Sequence, residues 1–195
     1  KIANLADVAS ITIHTSHHTH AVIGSGANDP EKYDPDASRE TLDHSLPYIF
    51  AVALEDGIWR HDASYTPERA HRPETIALWR KIVTAHDDEW ERRYYSMDLT
   101  EKAFGGRVDI TMADGAVISD ALAMANAHPL GAKPFQRPDY IRKFQTLAAD
   151  SMSDTAQGEF LDAVEAMSER APIELNPVVD RVDLATGENG KQGIF

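Results

Sequence analysis

Three features of the sequence predict an α+β fold. Residues 6–13, ADVASITI, alternate apolar and polar side chains in the manner of a half-buried strand. Residues 107–124, RVDITMADGAVISDALAM, read as two strands around an Asp-Gly turn. The helical segments between and after them start at prolines and do not alternate one for one with strands, which argues against a repeated βαβ arrangement.

In the first strand Ala9, Ile11 and Ile13 share one face, and Ser10 and Thr12 the other. HTSHHTH follows directly, from His14 to His20, with four of the chain's nine histidines in seven residues. If the strand continues, His14, Ser16, His18 and His20 extend the polar face and His17 falls on the apolar side. Residues 24–38, GSGANDPEKYDPDAS, have no apolar period and read as a loop.

HSLPYIFAVALEDG, residues 44–57, predicts a helix starting near Ser45 or Leu46, since Pro47 fits only a first turn, and stopping by Gly57. Its body from Ile49 to Leu54 is apolar on every side and is expected to be deeply buried. TPERA and RPETIALWRKIVTAH repeat the proline start. The second predicts an amphipathic helix over residues 73–85 with Ile76, Trp79, Ile82 and Val83 inward.

In the hairpin Val108, Ile110 and Met112 alternate, Asp114-Gly115 forms the turn, and Val117-Ile118 begins the return. The Pro/Gly loop NAHPLGAKPFQRP precedes two helices, near residues 138–148 and 155–170. Their apolar faces carry Ile141, Phe144 and Leu147, then Phe160, Leu161, Val164 and Met167. NPVVDRVDLATG predicts a last short element and ENGKQGIF a tail; no internal repeat is present.

With 195 residues, 42% of them hydrophobic, the chain is long enough to bury a core. A net charge of −13 argues against non-specific binding to nucleic acid or to an anionic membrane, both of which need a basic face. An anionic small molecule remains compatible, because a site can be locally positive on an acidic protein. The absence of cysteine excludes disulfides, thiolate metal sites and cysteine nucleophiles. No stretch reads as a signal peptide or a membrane span, so a cytoplasmic protein is expected. The chain opens at Lys1 with a strand almost at once, and a fragment of a longer protein is expected.

The histidine run supports three readings. His14, His18 and His20 on one strand face can converge on a zinc-like ion, although no HExxH motif or matched acidic ligand accompanies them. The run is otherwise a solvated polar face, or a face meeting an anionic ligand or another domain, since histidine donates hydrogen bonds and carries charge near neutral pH. In DHSLPY, residues 43–48, a helix N-terminus offers backbone N–H groups to a carboxylate, with His44 and Ser45 as added donors; the plainer reading is a Ser45 N-cap. His128, Lys133 and Arg137 share one loop that either clamps an anion or is a solvated connection. Asp43, Asp56, Asp62 and the charges of DDEWERR read as surface residues. No phosphate loop, GxGxxG, GxSxG or nucleophile–base pair occurs, so the residues alone yield no complete catalytic set.

Taken in order, ASITIHTSHHTH, RETLDHSLPYIFAVALEDGIW, GGRVDITMADGAVIS and HPLGAKPFQRPDYIRKF resemble the C-terminal part of the 2-methylcitrate dehydratase (MmgE/PrpD) family, over most of residues 6–148. The resemblance implies a small α+β domain that closes over a large all-helical domain. Residues 1–195 would then be the C-terminal α+β domain plus C-terminal helices, with the helical domain outside this chain. It further implies homodimers, no metal or organic cofactor, and a tricarboxylate substrate that is dehydrated, decarboxylated or epimerised. The acid–base machinery would lie largely in the helical domain.

On this resemblance a tyrosine of the decarboxylase branch aligns at or near His18, which makes His18, with His17 as the register alternative, the carried-over catalytic position. His44 and Ser45 match the family's helix start and are carried over as substrate-binding positions, Lys133 of the cationic loop is the further substrate-binding candidate, and no metal ligand is carried over. The departure from tyrosine fits a dehydratase of 2-methylcitrate better than a decarboxylase. Two rivals from other classes are a metal enzyme using His14, His18 and His20, and a non-catalytic lid or dimerisation domain.

Overall fold

The computed structural model describes residues 2–169, which form two compact units. The first holds residues 2–126 and 130–132, and the second residues 127–129 and 133–169.

In the first unit a 3-10 turn, Leu5–Asp7, leads into β1, Val8–Thr15. The chain then runs through α1 (His17–Val22), 3-10 turns at Ser25–Ala27 and Pro30–Tyr33, α2 (Arg39–Asp43) and α3 (Leu46–Asp56). After a turn at Ala63–Tyr65 come α4 (Pro67–Ala70) and α5 (Pro73–Trp79). Next are β2 (Ile82–His86), α6 (Asp88–Tyr95) and the hairpin strands β3 (Gly106–Met112) and β4 (Val117–Leu122). The strands form one mixed sheet in the order β2-β1-β3-β4.

β1 runs parallel to β2, with Thr15 opposite His86, and antiparallel to β3, with His14 opposite Arg107. This α+β architecture agrees with the expected class, and helices and strands do not alternate one for one; the sheet nevertheless contains one parallel pair, β1 and β2, joined through α1 to α5. The expected helix over residues 73–85 is corrected. The chain leaves the helix after Trp79 because Ile82-Val83-Thr84 is a β-branched run that packs better on a pleated surface than against a preceding helical turn. Strand alternation then separates the two residues placed together on the helix face: Ile82 is 0% exposed and Val83 is 45% exposed.

One face of the sheet holds the core. Ile11, Ile13, Ile82 and Ile110 meet Tyr48, Ala51 and Val52 of α3 and Leu78 and Trp79 of α5. Each such aliphatic side chain contributes about 1.5–3 kcal/mol by leaving water. Ser45 caps α3 and Gly57 ends it in the left-handed conformation (φ 67°), as expected. The expectation of deep burial from Ile49 to Leu54 holds only for Ala51 and Val52; Ile49, Phe50, Ala53 and Leu54 stay half-buried. The hairpin has the expected strands and turn, Gly115 taking φ 87°.

Arg69 of α4 is 3% exposed and ties the helices together. Its guanidinium grips both Asp56 oxygens at 3.0 and 3.1 Å, reaches Glu55 Oε2 at 2.6 Å and donates to Thr75 Oγ1. Asp56, expected as a surface residue, is exposed and forms the solvent side of this network.

The second unit contains α7 (Arg137–Ala148), opened by a reciprocal Gln136–Asp139 capping box, and α8 (Asp154–Glu165), followed by a turn at Ala166–Glu169. Phe144 and Phe160 stack at 5.0 Å between ring centres. The element expected in NPVVDRVDLATG and the tail lie outside the described residues.

Candidate active site

Parallel pairing brings the C-terminal ends of β1 and β2 together, and a helix starts from each. Such strand ends are where open α/β sheets gather ligands. The histidine run lies here, but not as a strand. β1 stops at Thr15, and Ser16 caps α1: its hydroxyl accepts the Thr19 N–H at 3.2 Å and donates to Thr19 Oγ1 at 3.1 Å. The expected strand continuation is therefore corrected, because a capping serine followed by free N–H groups starts a helix instead.

In helical geometry His17 and His18 stand exposed at the start of α1, while His20 turns inward. His14 stays behind on the sheet. The one-face ligand set of His14, His18 and His20 does not exist, and among the described residues no group of three or more His, Cys, Asp or Glu is arranged to hold a metal ion.

His17 and His18 are braced from β2 and α6. The His17 backbone N–H donates to Glu91 Oε2 at 2.6 Å. Its ring meets His86 edge-on at 5.6 Å, and the His18 ring lies tilted against Tyr94 at 5.7 Å. His20 Nδ1 is 2.7 Å from Thr84 Oγ1. Thr84 Oγ1 also accepts the Ser25 N–H at 3.0 Å, so the loop after α1 is fastened to β2. Burial, with the nearby His17 and His86, lowers the His20 pKa from its ordinary value, which suits an imidazole nitrogen accepting from the Thr84 hydroxyl.

On the other face of the sheet His14 Nε2 lies 3.0 Å from Asp109 Oδ2, and Arg107 lies 3.4 Å from the same oxygen. Ser119 donates to Asp109 Oδ1 at 2.6 Å. The Ser119 hydrogen bond, helped by Arg107 and His14, holds the Asp109 carboxyl below its ordinary pKa. This cluster neutralises its own charges, whereas His17 and His18 keep their rings toward solvent.

Beside α1 an apolar cleft of about 450 Å³ is lined by Ile13, Thr15, Thr19, Phe50, Phe104 and Leu122. Phe104 meets Tyr94 edge-on at 5.5 Å, so an aromatic row links the cleft wall to His18. The exposed His17 and His18 rings thus stand near this cleft without lining it.

The other expected site residues lie elsewhere. His44 is exposed at the end of α2, its Nδ1–H donating to Glu40 O at 2.8 Å. Ser45 is 0% exposed; its hydroxyl donates to Lys32 O at 2.7 Å and accepts the Tyr48 N–H at 3.2 Å. The Leu46 N–H goes to Ile23 O at 2.8 Å, and Pro47 has none. The free N–H groups expected at this helix end are thus spent within the fold. Lys133 is exposed and belongs to the second unit.

Glu91 is one of the DDEWERR charges expected at the surface but is half-buried and bonded to α1, and Tyr94 and His86 carry no expectation from the sequence. Two signals point to them: the β-branched Ile82-Val83-Thr84 run, and an aspartate N-cap in HDDEW whose carboxylate accepts the Glu89 and Trp90 N–H groups. No helix among the described residues is long and apolar enough to cross a membrane. Compared with known families, residues 1–169 match the MmgE/PrpD C-terminal domain.

Proposed function

This chain belongs to the MmgE/PrpD family of dehydratase- and lyase-type enzymes as its C-terminal domain, and from that premise we propose that it is part of a hydro-lyase converting 2-methylcitrate to 2-methylaconitate. One observation carries the assignment of the site: two consecutive exposed histidines, His17 and His18, stand at paired strand ends beside an apolar cleft.

The reaction removes water. A base takes the proton α to one carboxylate, the carbon–oxygen bond to the hydroxyl breaks, and an acid protonates the departing oxygen. Negative charge gathering on the enolate-like carboxylate calls for hydrogen-bond donors aimed at it. His17 and His18 serve there, orienting a carboxylate or passing the proton to the leaving hydroxyl, because imidazole does both near neutral pH. The base comes from the helical domain of the intact enzyme, which acts as a cytoplasmic homodimer without metal or organic cofactor.

The test uses the intact enzyme and 2-methylcitrate, with and without a strong chelator, following ultraviolet absorbance of the new conjugated double bond. Activity that survives chelation, and falls in the His17→Ala and His18→Ala variants, is the expected result. Carbon dioxide release from cis-aconitate in place of dehydration would transfer the assignment to a decarboxylase. Activity lost on chelation and restored by a divalent ion would overturn the cofactor-free chemistry.

A further inference from the structure

α1 cannot hold itself in place. It has six residues, none of them buried, and a helix this short is unstable without outside support. His20 fastens its far end to Thr84 at 2.7 Å. The near end, which carries His17 and His18, needs its own attachment.

Resting on the reading of His17 and His18 as substrate-facing, we propose that Glu91 and Tyr94 of α6 are positioning residues that set the orientation of this histidine pair. They lie three residues apart on one helix face, so both reach the same neighbour. The Glu91 carboxylate accepts the His17 N–H at 2.6 Å, a charge-assisted bond that fixes the first peptide of α1. The Tyr94 ring supports the His18 imidazole at 5.7 Å and is itself enclosed by Tyr95 at 5.0 Å and Phe104 at 5.5 Å.

α6 is in turn anchored. Asp87, its N-cap, donates its backbone N–H to Thr15 O at 3.0 Å, and Trp90 is buried beneath it. A path of direct contacts therefore runs from the sheet through α6 to the His17 backbone and the His18 imidazole. Reacting groups lose rate steeply when displaced by about an ångström, so loosening either contact acts on turnover before it acts on folding.

The experiment compares Glu91→Ala, Glu91→Gln, Tyr94→Ala and Tyr94→Phe in the intact enzyme, with His17→Ala and His18→Ala alongside. Glu91→Ala and Tyr94→Ala are expected to lower kcat roughly tenfold, with KM moving less. Glu91→Gln, which keeps the acceptor oxygen, and Tyr94→Phe, which keeps the ring, are expected to recover most of the rate. Independently of activity, the His18 ring-proton NMR signals should move in Tyr94→Ala and stay in Tyr94→Phe. Loss of activity only in proportion to unfolded protein would overturn the positioning role while leaving the histidines' role intact. If His17→Ala and His18→Ala turn over normally, the underlying reading falls and the positioning role falls with it.

Discussion

The carbonyl of Thr15, the last residue of β1, accepts the backbone N–H of Asp87, the N-cap of α6, at 3.0 Å. This bond extends the parallel ladder one step past Thr15–His86 and joins two segments more than seventy residues apart. Because the N-cap of α1, Ser16, follows Thr15 directly and Asp87 is itself the N-cap of α6, it sets both helix starts side by side.

Replacing Ser16 with alanine removes the cap of α1. The Thr19 N–H and hydroxyl lose their partner at a site with 1% exposure. A loss of about 1 kcal/mol in urea unfolding is expected, with faster amide exchange confined to residues 17–22. Unchanged exchange there would show that the cap is not what starts the helix.

Ile82 and Val83 separate strand from helix. Ile82→Ala opens a cavity in the core and is expected to cost about 2–5 kcal/mol. Val83→Ala, at a position 45% exposed, is expected to stay within about 0.5 kcal/mol. Equal losses in denaturant unfolding would contradict the strand register.

Arg69→Ala leaves Glu55 and Thr75 facing each other without their cation. A loss of about 3 kcal/mol is expected, near the low end for a broken buried pair because Asp56 is partly solvated. Arg69→Lys retains the charge but not the two-pronged grip on Asp56, and should recover only part of it. Thermal unfolding of the three proteins ranks them.

Two histidines tune stability with pH in opposite directions. The His20 pKa is lowered by burial, so the unfolded chain binds its proton more readily than the folded one. Its contribution is complete above the ordinary value of 6.5 and declines as pH falls below it. The His71 pKa is raised by its hydrogen bonds to the Pro67 carbonyl and the Asp36 carboxylate. Its contribution is complete below 6.5 and is lost as pH rises through the folded value. His20→Asn should flatten the acid-side slope of amide protection in residues 24–27, and His71→Asn the slope on the other side; no change in either slope would contradict the assignment.

Local signals carried much of this fold. The alternation of residues 6–13 marked β1, although a register shift after Val8 turns Val8 inward and leaves Ala9 exposed. Pro47 and Gly57 bounded α3 and Asp114-Gly115 marked the hairpin, because capping and turn chemistry act over three or four residues. The histidine run was visible as a candidate site for the same reason. Alternation alone does not give its conformation, because at Ser16 a cap signal and a strand signal compete and the cap prevails. β2 was hidden by the helix-like spacing of Trp79, Ile82 and Val83, which only burial against Ile11 resolves.

By itself the sequence determined the element types with strong local punctuation, the α+β class and the resemblance to the family. Tertiary structure alone decided that β1 and β2 are parallel neighbours, that Ser45 is sealed inside the fold, and that Glu91 and Tyr94 meet His17 and His18. Those contacts join residues thirteen to seventy-six positions apart. Local preference does not encode such pairings; they arise when the apolar faces of distant segments are buried together and the polar groups carried along find partners at the strand ends.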